Sequence, residues 1–124
     1  MTAINLPYPP TTNNLFKNVG RGRARTDQYN RWIREGSAMI LQQRPQKVAG
    51  PYSLYLRAVR PDRRARDLGN LEKPISDLLV KCGVVRDDSD ACTIILAWVL
   101  SNPSGAAVTV EVTAVPDEHM AIAA

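Results

Sequence analysis

A chain of 124 residues with 44% hydrophobic residues and a net charge of +4 has the size and composition of one globular domain around a single core, which excludes a chain disordered throughout. Its longest apolar run, "IILAWVL" at 94–100, is seven residues long, far short of the ~20 that cross a membrane as a helix. The N-terminal "MTAINLPYPP" carries neither the basic nor the apolar region of a secretory signal. Cys82 and Cys92 fit no metal or redox spacing, so they are expected to be reduced core thiols of a cytoplasmic protein.

In chain order, "AINL" (3–6) predicts a short first strand, stopped by "PYPP" and the polar "TTNN". "KNVGRGRAR" (17–25) shows no apolar period and reads as an exposed basic loop. Its two glycines lack the third glycine and the strand-to-helix turn of a dinucleotide site. Thr26 or Asp27 can cap a helix running to about Arg44, with Tyr29, Trp32, Ile33, Met39 and Ile40 near helical spacing. Pro45 ends it, and "AGP" (49–51) is a turn. "YSLYLRAVR" (52–60) alternates as a strand, with Leu54, Leu56 and Ala58 on one face.

A second helix is expected over about 71–82, with Asn70 as its N-cap, Pro74 in its first turn and Gly83 at its end. Leu71, Ile75, Leu78, Leu79 and Cys82 form its core stripe. "RDDSD" (86–90) is an acidic loop. "ACTIILAWVL" (91–100) and "AVTVEVTAV" (107–115) are strands that "SNPSG" joins as a hairpin. The fold expected is α/β (α+β): one compact domain over 1–115 with two main helices and a mixed or mostly antiparallel sheet. A loose tail, 116–124, is expected to follow, and its His119 is given no catalytic part.

Charge divides this chain sharply. Residues 17–66 hold 13 Lys/Arg against three acids, whereas 67–124 hold three Lys/Arg against nine acids. A basic block followed by an acidic one suits a polyanion that must also meet a cation; oppositely charged solvated surfaces are the plainer explanation. Where the blocks meet, "RPDRRAR" (60–66) runs into "RDLGNLEK" (66–73). Asp67 lies between a strand and a helix, where a side chain can project into a cleft. Asp87, Asp88 and Asp90 occupy the loop after that helix. Phosphodiester hydrolysis needs a nucleophilic water and relief of phosphate charge, both of which Mg²⁺ supplies through carboxylate ligands. Each residue also has a structural role open to it. Asp67 can cap the helix, Asp87 and Asp88 can hold their own turn, and Lys73 can pair with Asp77.

Taken in order, "LPYPPTTNN", "GRGR" and "PDRRARDLGNLEKPISDLLVKCGVVRDD" resemble the RusA-type Holliday junction resolvases. The resemblance runs from about residue 4 to about 115. It implies a small homodimeric endonuclease, bacterial or phage-encoded, that uses Mg²⁺ (Mn²⁺ can substitute) to cut four-way DNA junctions in recombination and repair. The family motif is approximately D-x-D-N-L-x-K followed by a D-D pair. On that pattern Asp67 and Asp88 are catalytic metal ligands, Lys73 is the essential lysine, and Asp87 is a supporting metal-site acid. The second motif carboxylate falls on Gly69. The resemblance therefore leaves two outcomes: a resolvase, or a junction-binding protein of the same fold that cuts weakly or not at all. A basic module that recognises RNA is the reading without the resemblance. Arg21, Arg23, Arg25, Arg60, Arg63, Arg64 and Arg66 are expected along the DNA backbone. Tyr8 and Phe16 are candidates for stacking on exposed bases, with core packing the default for both.

Overall fold

The computed structural model describes residues 2–116; the expected tail from residue 117 on, with His119, lies outside them. The domain is a mixed α/β fold with six strands and two helices. Strands β1 (Thr2–Leu6), β4 (Tyr52–Val59), β5 (Ala91–Val99) and β6 (Val108–Ala114) form one sheet in the order β1-β6-β4-β5. β2 (Phe16–Val19) and β3 (Gly22–Arg25) form a separate antiparallel pair. Helices α1 (Asp27–Gln43) and α2 (Glu72–Lys81) complete the fold.

The strand periodicity of 52–59 holds residue by residue: Tyr52, Leu54, Leu56 and Ala58 are buried and their neighbours half-exposed. Leu54, Leu56 and Ala58 align with Val112, Val110 and Val108 on β6 and with Ile4 and Leu6 beyond, which makes one apolar face. Ile75, Leu78 and Leu79 of α2, and Trp32, Ile33 and Ile40 of α1, close the core over it. Met39 is only half-buried, and Gly36 takes a buried place in the α1 stripe. A Cβ at Gly36 would stand 2.6 Å from the Leu78 side chain, so this glycine lets the two helices approach.

Local signals place α1 well. The Thr26 side chain accepts a hydrogen bond from the Tyr29 amide, and Arg44 ends the helix in the left-handed region at φ 50°. Gln43, in the last turn, faces β1: its Oε1 accepts from the Asn5 amide (2.7 Å), and its Nε2 donates to the Asn5 carbonyl (2.8 Å). One glutamine thus satisfies the outward backbone groups near the end of an edge strand. Gln43→Ala is expected to cost about 1–3 kcal/mol, since a partly buried amide and carbonyl lose their partner. The check is a denaturant or thermal melt, and an unchanged midpoint would show that water replaces Gln43 without cost.

Four expectations need correction. Residues 17–25 are not a loop but the β2–β3 hairpin, closed at Gly20 (φ 58°) and Arg21. Every β2 residue is exposed, and of β3 only Ala24 is partly covered, so no buried face existed to imprint an apolar alternation. β5 and β6 do not pair with each other: β4 lies between them, parallel to β5 and antiparallel to β6. "SNPSG" instead passes over the end of β4, where buried Asn102 donates to the Arg57 carbonyl (3.3 Å) and the Ala106 carbonyl (3.0 Å). Asn70 is not the cap of α2. A 3-10 turn, Leu68–Leu71, precedes that helix, and Asp67 caps it by accepting from the Gly69 amide. Phe16 is not a core residue but 40% exposed, whereas Tyr8 is half-buried against the core. Cys82 and Cys92 form no disulfide, and each is half-buried.

Candidate active site

The connection from β4 to β5 carries every acidic candidate. It leaves β4 through the exposed bend at 61–64, makes the 3-10 turn, runs through α2 and ends in a second 3-10 turn, Asp88–Asp90, just before β5. The first of these turns packs against β5, and the second packs against α2. Lys73, in the first turn of α2, is where the two ends meet. Its Nζ lies 3.1 Å from the Asp77 carboxylate and 3.5 Å from that of Asp88. Both contacts, led by the Asp77 hydrogen bond, push the lysine pKa above its ordinary value, so the ammonium stays charged at neutral pH.

The acids differ in how free they are. Asp88 is exposed, with Lys73 beside it. Asp87 accepts from the Ser89 amide and caps the turn, which holds its carboxyl below the usual range. Asp90 is gripped by Arg86 through two contacts (3.1 and 3.0 Å) and is the least exposed of the three. Asp67 is exposed too, but its Oδ1 is engaged with the Gly69 amide at 3.0 Å. The structural roles weighed for Asp67, Asp87 and Lys73 are therefore all present. None of them uses up the whole side chain.

Asp67 and Asp88 line different hollows. One, of about 390 Å³, is bounded by Asp67, Asn70, Arg64, Arg66, Tyr8 and Thr11. The other, of about 470 Å³, is bounded by Asp87, Asp88, Asp77, Arg25, Phe16 and Tyr29. Among the described residues no three acidic, histidine or cysteine side chains gather round one point. Position 69 accounts for part of this, because a Cβ there would meet nothing within 4 Å except Asp67 Oδ1, at 3.4 Å. Carboxylates spread over two hollows form no shared cage; the only metal chemistry such donors suit is an ion held by one or two of them that keeps most of its own waters.

Around these hollows the arginines fall into two groups. Arg21 sits at the hairpin tip, Arg23 lies over the Phe16 ring (4.8 Å), and Arg25 borders the Asp88 hollow. Arg63 and Arg64 are exposed on the bend, Arg64 with its guanidinium 3.7 Å from the Asp62 carboxylate. By contrast, Arg66 is held by Asp62 (2.7 Å) and lies over Tyr8, and Arg60 lies over Trp98 (4.5 Å). That ion pair lowers the Asp62 pKa and raises the Arg66 pKa, and it shapes the bend that leads to Asp67.

Sequence reasoning missed Tyr52. It reads as an ordinary first residue of a strand, yet its hydroxyl is buried and makes no hydrogen bond within the described residues. Burial first, then the charges of Asp88, Glu72 and Asp90, push its pKa up to about 12. Nothing local in the sequence distinguishes this tyrosine; only the folding of the acidic turn toward β4 does.

The chain is similar in sequence to known proteins over most of its length. The family described as endodeoxyribonuclease RusA matches residues 7–113. A crossover junction endodeoxyribonuclease RusA of Escherichia coli K12 is 34% identical over 89 residues, covering 70% of this chain and 73% of that protein. The protein of the same name from Enterobacteria phage 82 is 34% identical over 88 residues, covering 69% and 72%. That of Shigella sonnei Ss046 is 33% identical over 89 residues, covering 70% and 73%.

Proposed function

As the chain belongs to the RusA endodeoxyribonuclease family, we propose that it is a Mg²⁺-dependent endonuclease that cuts four-way DNA junctions, acting as a homodimer in bacterial or phage recombination and repair. The observation that carries this reading is the meeting of Lys73 with Asp88 at 3.5 Å, across fifteen residues of chain, beside a hollow that Arg25 also borders. A lysine and an exposed carboxylate set together next to basic side chains suit a reacting phosphate better than a purely structural ion pair would.

In this reading Asp67 and Asp88, although they border different hollows, would each offer a carboxylate to the metal, and Asp87 orients the turn that presents Asp88. Bound there, Mg²⁺ would relieve charge on the scissile phosphate and provide a nucleophilic water near neutral pH. Lys73 stays protonated and stabilises charge that builds on the phosphate or leaving oxygen. Arg21, Arg23, Arg25, Arg63 and Arg64 hold the backbone, so junction shape rather than base sequence dominates affinity. Arg60 and Arg66, held on Trp98 and Asp62 respectively, act at the edge of that path. No helix of the described residues is long and apolar enough to cross a membrane.

The test is incubation of a synthetic four-way junction with the protein and Mg²⁺ or Mn²⁺, against linear duplex and RNA as competitors. Paired symmetric nicks support the reading, whereas tight junction binding without nicks replaces it with the non-cutting one. Gly69 favours that second outcome, because it leaves the site a carboxylate short of the family motif. Preference for RNA would sink both. Replacing Arg63 and Arg64 together with alanine is expected to weaken every DNA complex and to lower the slope of log affinity against log salt by about 2. An unchanged slope would mean that these side chains point away from the DNA.

A further inference from the structure

We infer that Tyr52 is a positioning residue for the proposed reaction: its buried hydroxyl donates to the Asp88 carboxylate and fixes its direction when that acid takes up a divalent cation. This role presupposes the metal-dependent reading above and adds to it a residue outside the motif positions.

Three buried side-chain nitrogen or oxygen atoms among the described residues lack a hydrogen-bond partner: Tyr52 Oη, Arg57 Nε and Asn102 Oδ1. The last two belong to side chains that bond through another atom, Arg57 to Glu111 and Asn102 to the Ala106 carbonyl. Tyr52 has a single polar atom, so the whole hydrogen-bonding capacity of its side chain is unmet. The residue is fully buried at the start of β4. A hydroxyl left without a partner in such a place costs stability, and a native chain that keeps one needs a reason to do so.

Its surroundings supply the reason. Tyr52 aligns with Ala91, the residue that follows the Asp88–Asp90 turn, so it stands beside the end of that turn. Burial first, and then the charges of Asp88, Glu72, Asp90 and Asp87 in that order, hold the proton on its oxygen, which is a donor at neutral pH. Three of these acids are engaged elsewhere. Glu72 accepts from the buried Ser76 hydroxyl (2.9 Å), Asp87 from the Ser89 amide, and Asp90 from Arg86. Asp88 is held more loosely, at 3.5 Å from Lys73. A carboxylate that ligates an ion is directed by a hydrogen bond from an outer partner, and losing such a partner weakens metal binding by about 10–100-fold. With Gly69 in place of a motif carboxylate, more of the site depends on the direction of Asp88.

The experiment compares wild type with Tyr52→Phe, which removes one oxygen, and with Tyr55→Phe, which removes the same oxygen from a half-exposed tyrosine on the other face of β4. The readouts are thermal melts in EDTA, Mn²⁺ binding to the DNA-free protein by electron paramagnetic resonance, and single-turnover junction cleavage. Tyr52→Phe should melt at or above the wild-type temperature, bind Mn²⁺ about tenfold more weakly and lose cleavage in step. Tyr55→Phe should bind and cut as wild type does. In a Glu72→Gln background, where the amide oxygen can still accept from Ser76, the tenfold loss should persist. A lower melting temperature of Tyr52→Phe in EDTA overturns the inference, because the hydroxyl would then already be bonded in the free chain. So does an unchanged Mn²⁺ affinity, or a loss that disappears with Glu72→Gln and so belongs to that acid. A wild type that binds no Mn²⁺ removes the metal reading together with this role. If wild type and Tyr52→Phe bind Mn²⁺ equally well, this role alone falls.

Discussion

Asp88→Asn and Asp67→Asn are each expected to reduce junction cleavage by on the order of 10³ or more while the protein stays folded and bound to DNA. The two substitutions are mild structurally. Asp88 is exposed, and its contact with Lys73 is long and solvent-screened, so losing the charge there costs little stability. Asp67 caps its turn through Oδ1, and an asparagine side-chain oxygen can accept the same bond from the Gly69 amide. Asparagine therefore separates the cap from the metal ligand, which alanine could not do. Junction affinity should hold or rise, because each variant removes a negative charge that faces phosphate. The measurement is single-turnover cleavage beside a binding isotherm in Ca²⁺ or EDTA. Undiminished cleavage in both variants would remove Asp67 and Asp88 from the chemistry, and unfolding of Asp67→Asn would reduce that residue to a structural cap.

Gly69→Asp is expected to act in the opposite direction: tighter Mg²⁺ binding, by roughly tenfold, and faster cutting. Gly69 is not among the residues at positive φ, so a side chain meets no backbone strain there. Its Cβ would have open space on every side but one, where Asp67 Oδ1 stands at 3.4 Å. A loop rerouted through the left-handed region, the alternative that would make this glycine obligatory, is therefore excluded. The new carboxylate would stand beside Asp67 in the turn that precedes α2. Repulsion between the two acids opposes the change, and the helix N-terminus favours it. Without metal the net effect on stability should stay within about 1 kcal/mol. Cleavage assays, metal titration and a thermal melt on the one variant decide the matter. A gain in rate at near-constant stability identifies a missing ligand; a destabilised protein with no gain shows that the aspartate points elsewhere.

Short-range patterns carried much of this protein. Thr26 before an amphipathic stretch determined α1, the strict alternation of 52–59 determined β4, and the Leu71–Leu79 stripe ended by Gly83 determined α2. In each case one face is buried, and burial of one face is what writes a period into a sequence. The order of the motif residues also singled out Asp67, Lys73 and Asp88 as candidates, and the structure brings Lys73 to Asp88 but sets Asp67 in a different hollow. What tertiary structure alone decided has a common cause, since it depends on partners distant along the chain. β5 and β6 are separated by a turn signal that suits a hairpin, yet β4 takes the place between them, because the α2 crossover returns the chain parallel to β4. The β2–β3 hairpin buries almost nothing, so its pairing left no apolar trace. Whether Lys73 would face Asp77 alone or Asp88 as well was a matter of how the acidic turn folds back on α2. The buried hydroxyl of Tyr52 beside those acids follows from that same fold, through contacts that no local spacing encodes.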